Sequence, residues 1–267
     1  MKTIKKLLDT DPKSGNTKVA KTGAKLSQLG KVRMASLSMF PDGIICPGSK
    51  AAGCMDGCLK SAGLASVYKS INLARQARTE YWHNNQTGFL DQLRRELGNF
   101  QKLCAKQNVQ GVVRLNVLSD IAWEQHDIPQ SFPGLFFYDY TKRAARLGKT
   151  PDNYRLMFSY SGRAQYRKQV LQAVCYDNPI AAVFANGQFP ETFLGRPVVD
   201  GDQSDLWNVF AGRVVVGLKA KGPAKQDDSG FVVDLAEPVK FIAVAWCLRK
   251  YAPSLILIAT LQTVAQK

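Results

Sequence analysis

Three cysteines, Cys46, Cys54 and Cys58, fall within thirteen residues of a glycine-rich, lysine-flanked stretch. Clustered thiols in a chain read as cytosolic point to metal binding or redox chemistry rather than to disulfides. Thiolates suit zinc and iron–sulfur clusters. The spacing Cys-x7-Cys-x3-Cys has no second close pair and no histidine in the loop, which disfavours a structural zinc site. Three thiols fit a [4Fe–4S] cluster better, with the fourth iron left to a distant residue, solvent or a substrate. Gly48, Gly53 and Gly57 allow the loop to fold back and to turn backbone N–H groups toward the sulfurs. Lys50 and Lys60 would offset the negative charge of a thiolate-bound cluster. The alternative is three reduced cysteines in an irregular loop. Cys104, Cys175 and Cys247 stand alone in apolar or amphipathic segments.

A second set of candidates comes from where apolar runs end. Residues 111–118, 134–140, 154–160, 179–185, 213–218 and 231–234 are rich in β-branched and aromatic side chains and read as strands. The first four recur at intervals that admit helices, notably over 163–174. No Asn-Gly or Gly-Gly hairpin turn joins them. This texture predicts βαβ units and a parallel sheet, either a partial (β/α) barrel or an open sheet. A complete eight-stranded barrel needs roughly 250 residues, more than remain here once a tail is set aside. In such folds ligands bind at the carboxyl ends of strands. The polar residues there are Asn116, Asp120, Asp139, Tyr140, Lys142, Ser159 and Asn186, with Asp120 and Asp139 the best placed for acid–base work. Their bland explanation is that strand ends are polar because they meet solvent and cap helices. The two histidines, His83 and His126, lie in no recognisable catalytic arrangement, and neither a nucleophile elbow nor a phosphate loop is present.

The elements that must position these groups follow from periodicity. Residues 65–78 and 87–106 read as helices, the second with Phe89, Leu90, Leu93, Leu97, Phe100 and Leu103 on one face. Residues 1–35 read as a basic arm, and 36–267 as a single α/β domain with a cysteine loop at 45–60. The apolar segment 241–265 is interrupted by Arg249, Lys250 and Pro253, leaving pieces too short for a bilayer span of ~20 residues. With no leader-like segment at the start, the expected location is the cytoplasm.

The formal net charge is +15 in 267 residues. Much of the excess lies at the start, at Lys2, Lys5, Lys6, Lys13, Lys18, Lys21 and Lys25 among others. Lysines near phosphates release counterions and raise affinity without reading sequence, so a nucleic-acid partner is one expectation. A solvated tail that aids solubility is the other.

The run 37–48 with Cys46, continuing to Cys54 and Cys58, resembles the opening motif of the phage gene product 88 family. Segments 112–120, 136–142 and 154–161 are similar to it in the same order, so the resemblance covers about residues 37–200. Members are phage or mobile-element proteins whose cysteine loop followed by β/α units is similar in outline to radical S-adenosylmethionine enzymes. The resemblance implies an iron–sulfur site at Cys46, Cys54 and Cys58, at the mouth of a partial barrel. This chain departs from the pattern. Leu59 replaces the aromatic that commonly follows the third cysteine, and 222–229 lacks the cysteines of many relatives. The Cys-x3-Cys-x2-Cys spacing and a Gly-Gly-Glu stretch are missing too, which weighs against S-adenosylmethionine as a cofactor while leaving cluster binding in place.

Two functional expectations result. The first is a phage-type iron–sulfur protein, a redox or radical-type enzyme with a small-molecule pocket at the strand ends. The second is a nucleic-acid-associated phage protein with a structural metal site and a basic arm. Neither expectation involves a membrane, and the sequence sets no oligomeric state.

Overall fold

The computed structural model describes residues 4–10, 32–202 and 210–235. The strands are β1 (Val32–Ser36), β2 (Gln110–Arg114), β3 (Leu135–Thr141), β4 (Tyr154–Ser159), β5 (Ile180–Phe184), β6 (Thr192–Phe193), β7 (Arg196–Asp200) and β8 (Val215–Lys219). They form one sheet in the order β1-β2-β3-β4-β5-β8-β7-β6. All neighbours are parallel except β6 and β7, which form an antiparallel hairpin. The sheet does not close on itself. Of the two architectures the sequence allows, the open parallel sheet is the one formed.

Parallel pairing of consecutive strands gathers their carboxyl ends on one edge of the sheet. The connection from β1 to β2 is much the longest. It carries the cysteine loop with the one-turn helix α1 (Ser49–Ala52), then α2 (Leu64–Val67), α3 (Lys69–Asn84) and α4 (Gln86–Lys106). The expected helix over 65–78 is thus two helices, broken where Tyr68 adopts extended backbone, and the second runs on to Asn84. A further helix, α5 (Arg167–Ala173), precedes β5.

The strands alternate between two buried faces, as period-two geometry requires. One face presents Ala35, Val113, Leu135, Phe137, Leu156, Phe158, Ile180, Ala182 and Val215 to the main core. The α4 stripe of Phe89, Leu93, Leu97, Phe100 and Cys104 packs into that same core. Each large apolar side chain buried there stabilises by roughly 1.5–3 kcal/mol. The helix starts cleanly because Asn85 Oδ1 accepts from Gly88 N at 2.9 Å. A Cβ at Gly111 of β2 would stand 2.4 Å from Leu135 Cδ2 and 3.0 Å from Cys104 Sγ, so the absent side chain lets α4 close on the sheet. The opposite face carries Met34, Val112, Tyr138, Met157, Ala181 and Val216.

The arm is shorter than the sequence suggests, because its proposed end at residue 35 falls inside β1. Residues near the start are docked as well. Leu7 and Leu8 are buried in the main core. Their backbone N–H groups donate to the Glu96 carboxylate of α4 at 2.8–3.0 Å, and Asp9 bridges to Ser36. Leucine burial plus a half-buried carboxylate acceptor outweighs the entropy of a charged tail. Lys5 and Lys6 are exposed on this docked stretch. Lys2, Lys13, Lys18, Lys21 and Lys25 lie outside the described residues, as does the apolar segment 241–265. The run 231–234 makes only an isolated bridge, Phe184 to Val233.

Candidate metal centre at the strand ends

The cysteine loop is launched by a turn. The Asp42 side chain accepts from Ile44 N at 2.8 Å and Ile45 N at 2.9 Å, its backbone carbonyl accepts from Cys46 N at 3.1 Å, and its other carboxylate oxygen lies 2.7 Å from His83 Nε2 of α3. His83 therefore ties the loop to α3 from an exposed position, beside buried Trp82, whose ring meets Phe89 and Trp123 edge-on. His126 also packs edge-on against Trp82.

Three anchors then hold the loop over the sheet. Asp120 N, after β2, donates to Ile45 O at 2.7 Å, and Ser161 Oγ, after β4, donates to Ala52 O at 2.6 Å. Arg163 Nη1 donates to Lys50 O at 3.2 Å. Gly53 closes the turn with φ 75°, and a Cβ there would lie 2.6 Å from Arg163 Cδ and 2.7 Å from Ser229 Oγ. The loop thus caps the carboxyl ends of β2 to β4.

Cys46, Cys54 and Cys58 are free and half-buried in this cap. Burial pushes the Cys46 thiol up to about 12, reinforced by the negative charges of Cys54, Asp120 and Cys58 and opposed by Lys142. Burial likewise raises Cys58; the Lys60 backbone N–H opposes the rise and Cys54 adds to it. The three thiols therefore share one electrostatic neighbourhood. Among the described residues, no three His, Cys, Asp or Glu side chains are gathered in metal-holding geometry. The donor chemistry fits a metal nonetheless, since it consists of soft thiols on a pinned loop beside a buried lysine, and a bound cation would favour their thiolate forms. Elsewhere, Cys104 is buried in the α4 stripe and Cys175 is disulfide-bonded.

The strand-end candidates divide into groups. Asn116 is fully engaged: Asp139 Oδ1 accepts from its backbone N at 2.7 Å, and its Oδ1 accepts from Ser119 Oγ, Ile121 N and Trp123 Nε1. Tyr154 Oη donates to Asp139 Oδ2 at 2.9 Å. Burial pushes the Asp139 carboxyl up to about 7, against the opposing charge of Arg114 and the Asn116 and Tyr154 hydrogen bonds. Asp120 accepts from Lys142 N at 2.8 Å and from Arg146 Nη1 at 2.6 Å, and burial raises its carboxyl against Arg146 and Arg143. Arg146 also forks onto Glu124, at 2.8 Å from both Nε and Nη2. These three side chains hold one another and the chain around them.

Tyr140 points to the other side of the sheet, where the Arg114 guanidinium covers its ring at 4.8 Å. Asn186 sits exposed in the turn after β5 with φ 57°. Lys142 and Ser159 come together beneath the cysteine loop: Lys142 Nζ donates to Ser159 Oγ at 2.7 Å, and Gly48 faces its Cβ. The sequence reading did not pick out Arg146, Glu124, Tyr154, Tyr166 or Arg163. A lone arginine in the otherwise apolar turn at Ala144–Arg146 is the one signal that pointed to the first.

An open parallel sheet with a thiol loop pinned across its carboxyl ends defines an α/β protein with a cysteine-lined mouth. The family model for gene product 88 matches residues 6–235, and the chain belongs to this phage protein family. No curated protein and no solved structure matches it. Among the described residues, no helix is long and apolar enough to cross a membrane.

Proposed function

We propose that this protein holds an iron–sulfur cluster, of the [4Fe–4S] type, through Cys46, Cys54 and Cys58, at the mouth of a small-molecule pocket. The observation that carries this reading is the pinned loop itself: three thiols in one electrostatic neighbourhood, held over the carboxyl ends of parallel strands. Such a cluster supplies one-electron transfer or Lewis acidity at an iron without a protein thiolate. The chain's own part is to keep the thiols together, to shield them from water and to set Lys142 beneath them.

Anaerobic reconstitution with iron and sulfide tests it. The expected result is a brown protein with broad visible absorption, whose iron content collapses in Cys46→Ala, Cys54→Ala and Cys58→Ala and is unchanged in Cys104→Ala. Because metal-bound cysteines are deprotonated, loading releases protons, and apparent iron affinity rises with pH. A colourless, iron-free product sinks the reading.

The net charge of +15 favours a second reading, a nucleic-acid-associated protein in which the metal loop is structural. It predicts DNA or RNA binding whose affinity falls linearly in log–log plots against salt. Binding indifferent to salt excludes it.

A further inference from the structure

Lys142 is 7% exposed, yet among the described residues no carboxylate lies within ion-pairing distance of its ammonium. Its hydrogen-bond acceptors are Ser159 Oγ at 2.7 Å and Ser159 O at 3.5 Å, both uncharged. The rings of Phe231 at 4.8 Å and Tyr166 at 5.9 Å flank it, and it lies near enough to Cys46 to act on that thiol. The adjacent carboxylate, Asp120, accepts its backbone N–H and is otherwise committed to Arg146 and Arg143. A buried charge without a counter-ion is costly, and folded proteins rarely keep one unless something else neutralises it.

Arg163 compounds the excess. It borders Gly53 at the far end of α1 and donates to a backbone carbonyl rather than a carboxylate. Two cations therefore flank α1, Lys142 under Gly48 and Arg163 beside Gly53. The cluster reading of the preceding section does not cancel them. Three thiolates on a cluster core of charge two plus leave a single negative charge facing buried Lys142 and half-exposed Arg163.

We propose that the strand mouth binds a small monocarboxylate, seated on the Lys142 ammonium next to the cysteine loop. This deepens the pocket of the proposed function and rests on that location for the ligand. One ammonium with neutral neighbours balances one negative charge, which suits a carboxylate. A phosphate dianion would call for the further donors of a backbone nest or an arginine fork, and Lys142 has neither beside it.

The experiment uses metal-free, full-length protein, with acetate, lactate and inorganic phosphate as probes in thermal-shift and calorimetric titrations at constant ionic strength. The expected result is a saturable rise in Tm with acetate and lactate, smaller with phosphate. In Lys142→Met the carboxylate affinity falls about 10- to 100-fold, the loss of a charge-assisted hydrogen bond. Without ligand, Lys142→Met melts at or above the wild type, because an apolar chain of similar length replaces an unneutralised charge. Ser159→Ala, which keeps the ammonium, retains binding. Three results overturn the proposal: no carboxylate effect in the wild type, an equal effect in Lys142→Met, or a preference for phosphate. Iron content after separate reconstitution tells the two readings apart. Carboxylate binding without iron loading sinks the cluster alone, and iron loading without carboxylate binding sinks this inference alone.

Discussion

Two corners of the same sheet edge use similar residues to opposite ends. At the β2–β3 corner, Asn116, Asp120, Asp139, Arg146, Glu124 and Tyr154 hold one another in a buried network. At the β3–β4 corner, beneath the cysteine loop, Lys142 leans on a serine and two rings, and three thiols sit half-buried without a metal-holding arrangement. Polar groups that neutralise one another stabilise a fold, whereas groups left in excess invite a ligand. On the proposed reading the first corner is a strut and the second a socket.

The sharpest way to break the contrast is at the strut. Arg146→Met leaves Asp120 and Glu124 facing a buried apolar chain, and about 3–5 kcal/mol of stability is lost in urea unfolding, the cost of removing one partner from a buried pair. A loss below 1 kcal/mol would mean the network is not what holds this corner.

The next effect depends on pH. The Asp139 carboxyl is raised from 3.8 to about 7, so the folded protein keeps a proton that the unfolded chain gives up. Its contribution is fully present below the unfolded value and is lost as pH climbs from about 4 to 7. In Asp139→Asn that slope, at most about 1.4 kcal/mol per pH unit, disappears. Unfolding free energies of both proteins across that window check it; parallel curves would refute it.

At the socket the effects are smaller and local. Gly53→Ala forces a side chain onto Arg163 at positive φ and costs about 1–3 kcal/mol, with iron retention falling more than global stability. Equal iron retention would show that the loop's shape is not what positions the thiols. Finally, with its thiol pushed up to about 12, Cys46 in metal-free protein reacts with iodoacetamide at pH 8 on the order of 100-fold more slowly than a free cysteine. Mass spectrometry of the labelled peptides measures this, and ordinary reactivity would contradict the burial.

Much of this was readable in advance. The α4 stripe and five of the strands announced themselves because their residues repeat with the period of their own element. β1 did not, since Val32-Arg-Met-Ala-Ser36 has little β character and is a strand because β2 pairs with it along its whole length. The β6–β7 hairpin was hidden by its turn, where Leu194 at φ 54° and Gly195 at φ 69° fill places usually taken by Asn-Gly. Asp120, Asp139 and Lys142 were legible as polar strand ends. Which of them is neutralised by a neighbour was not, because Arg146 and Tyr154 reach them from other segments of the chain.

The clasp of Leu7 and Leu8 by Glu96 has a topological consequence. The chain enters the fold twice at one place, since residues 4–10 and β1 both lie against the main core and Asp9 bridges Ser36.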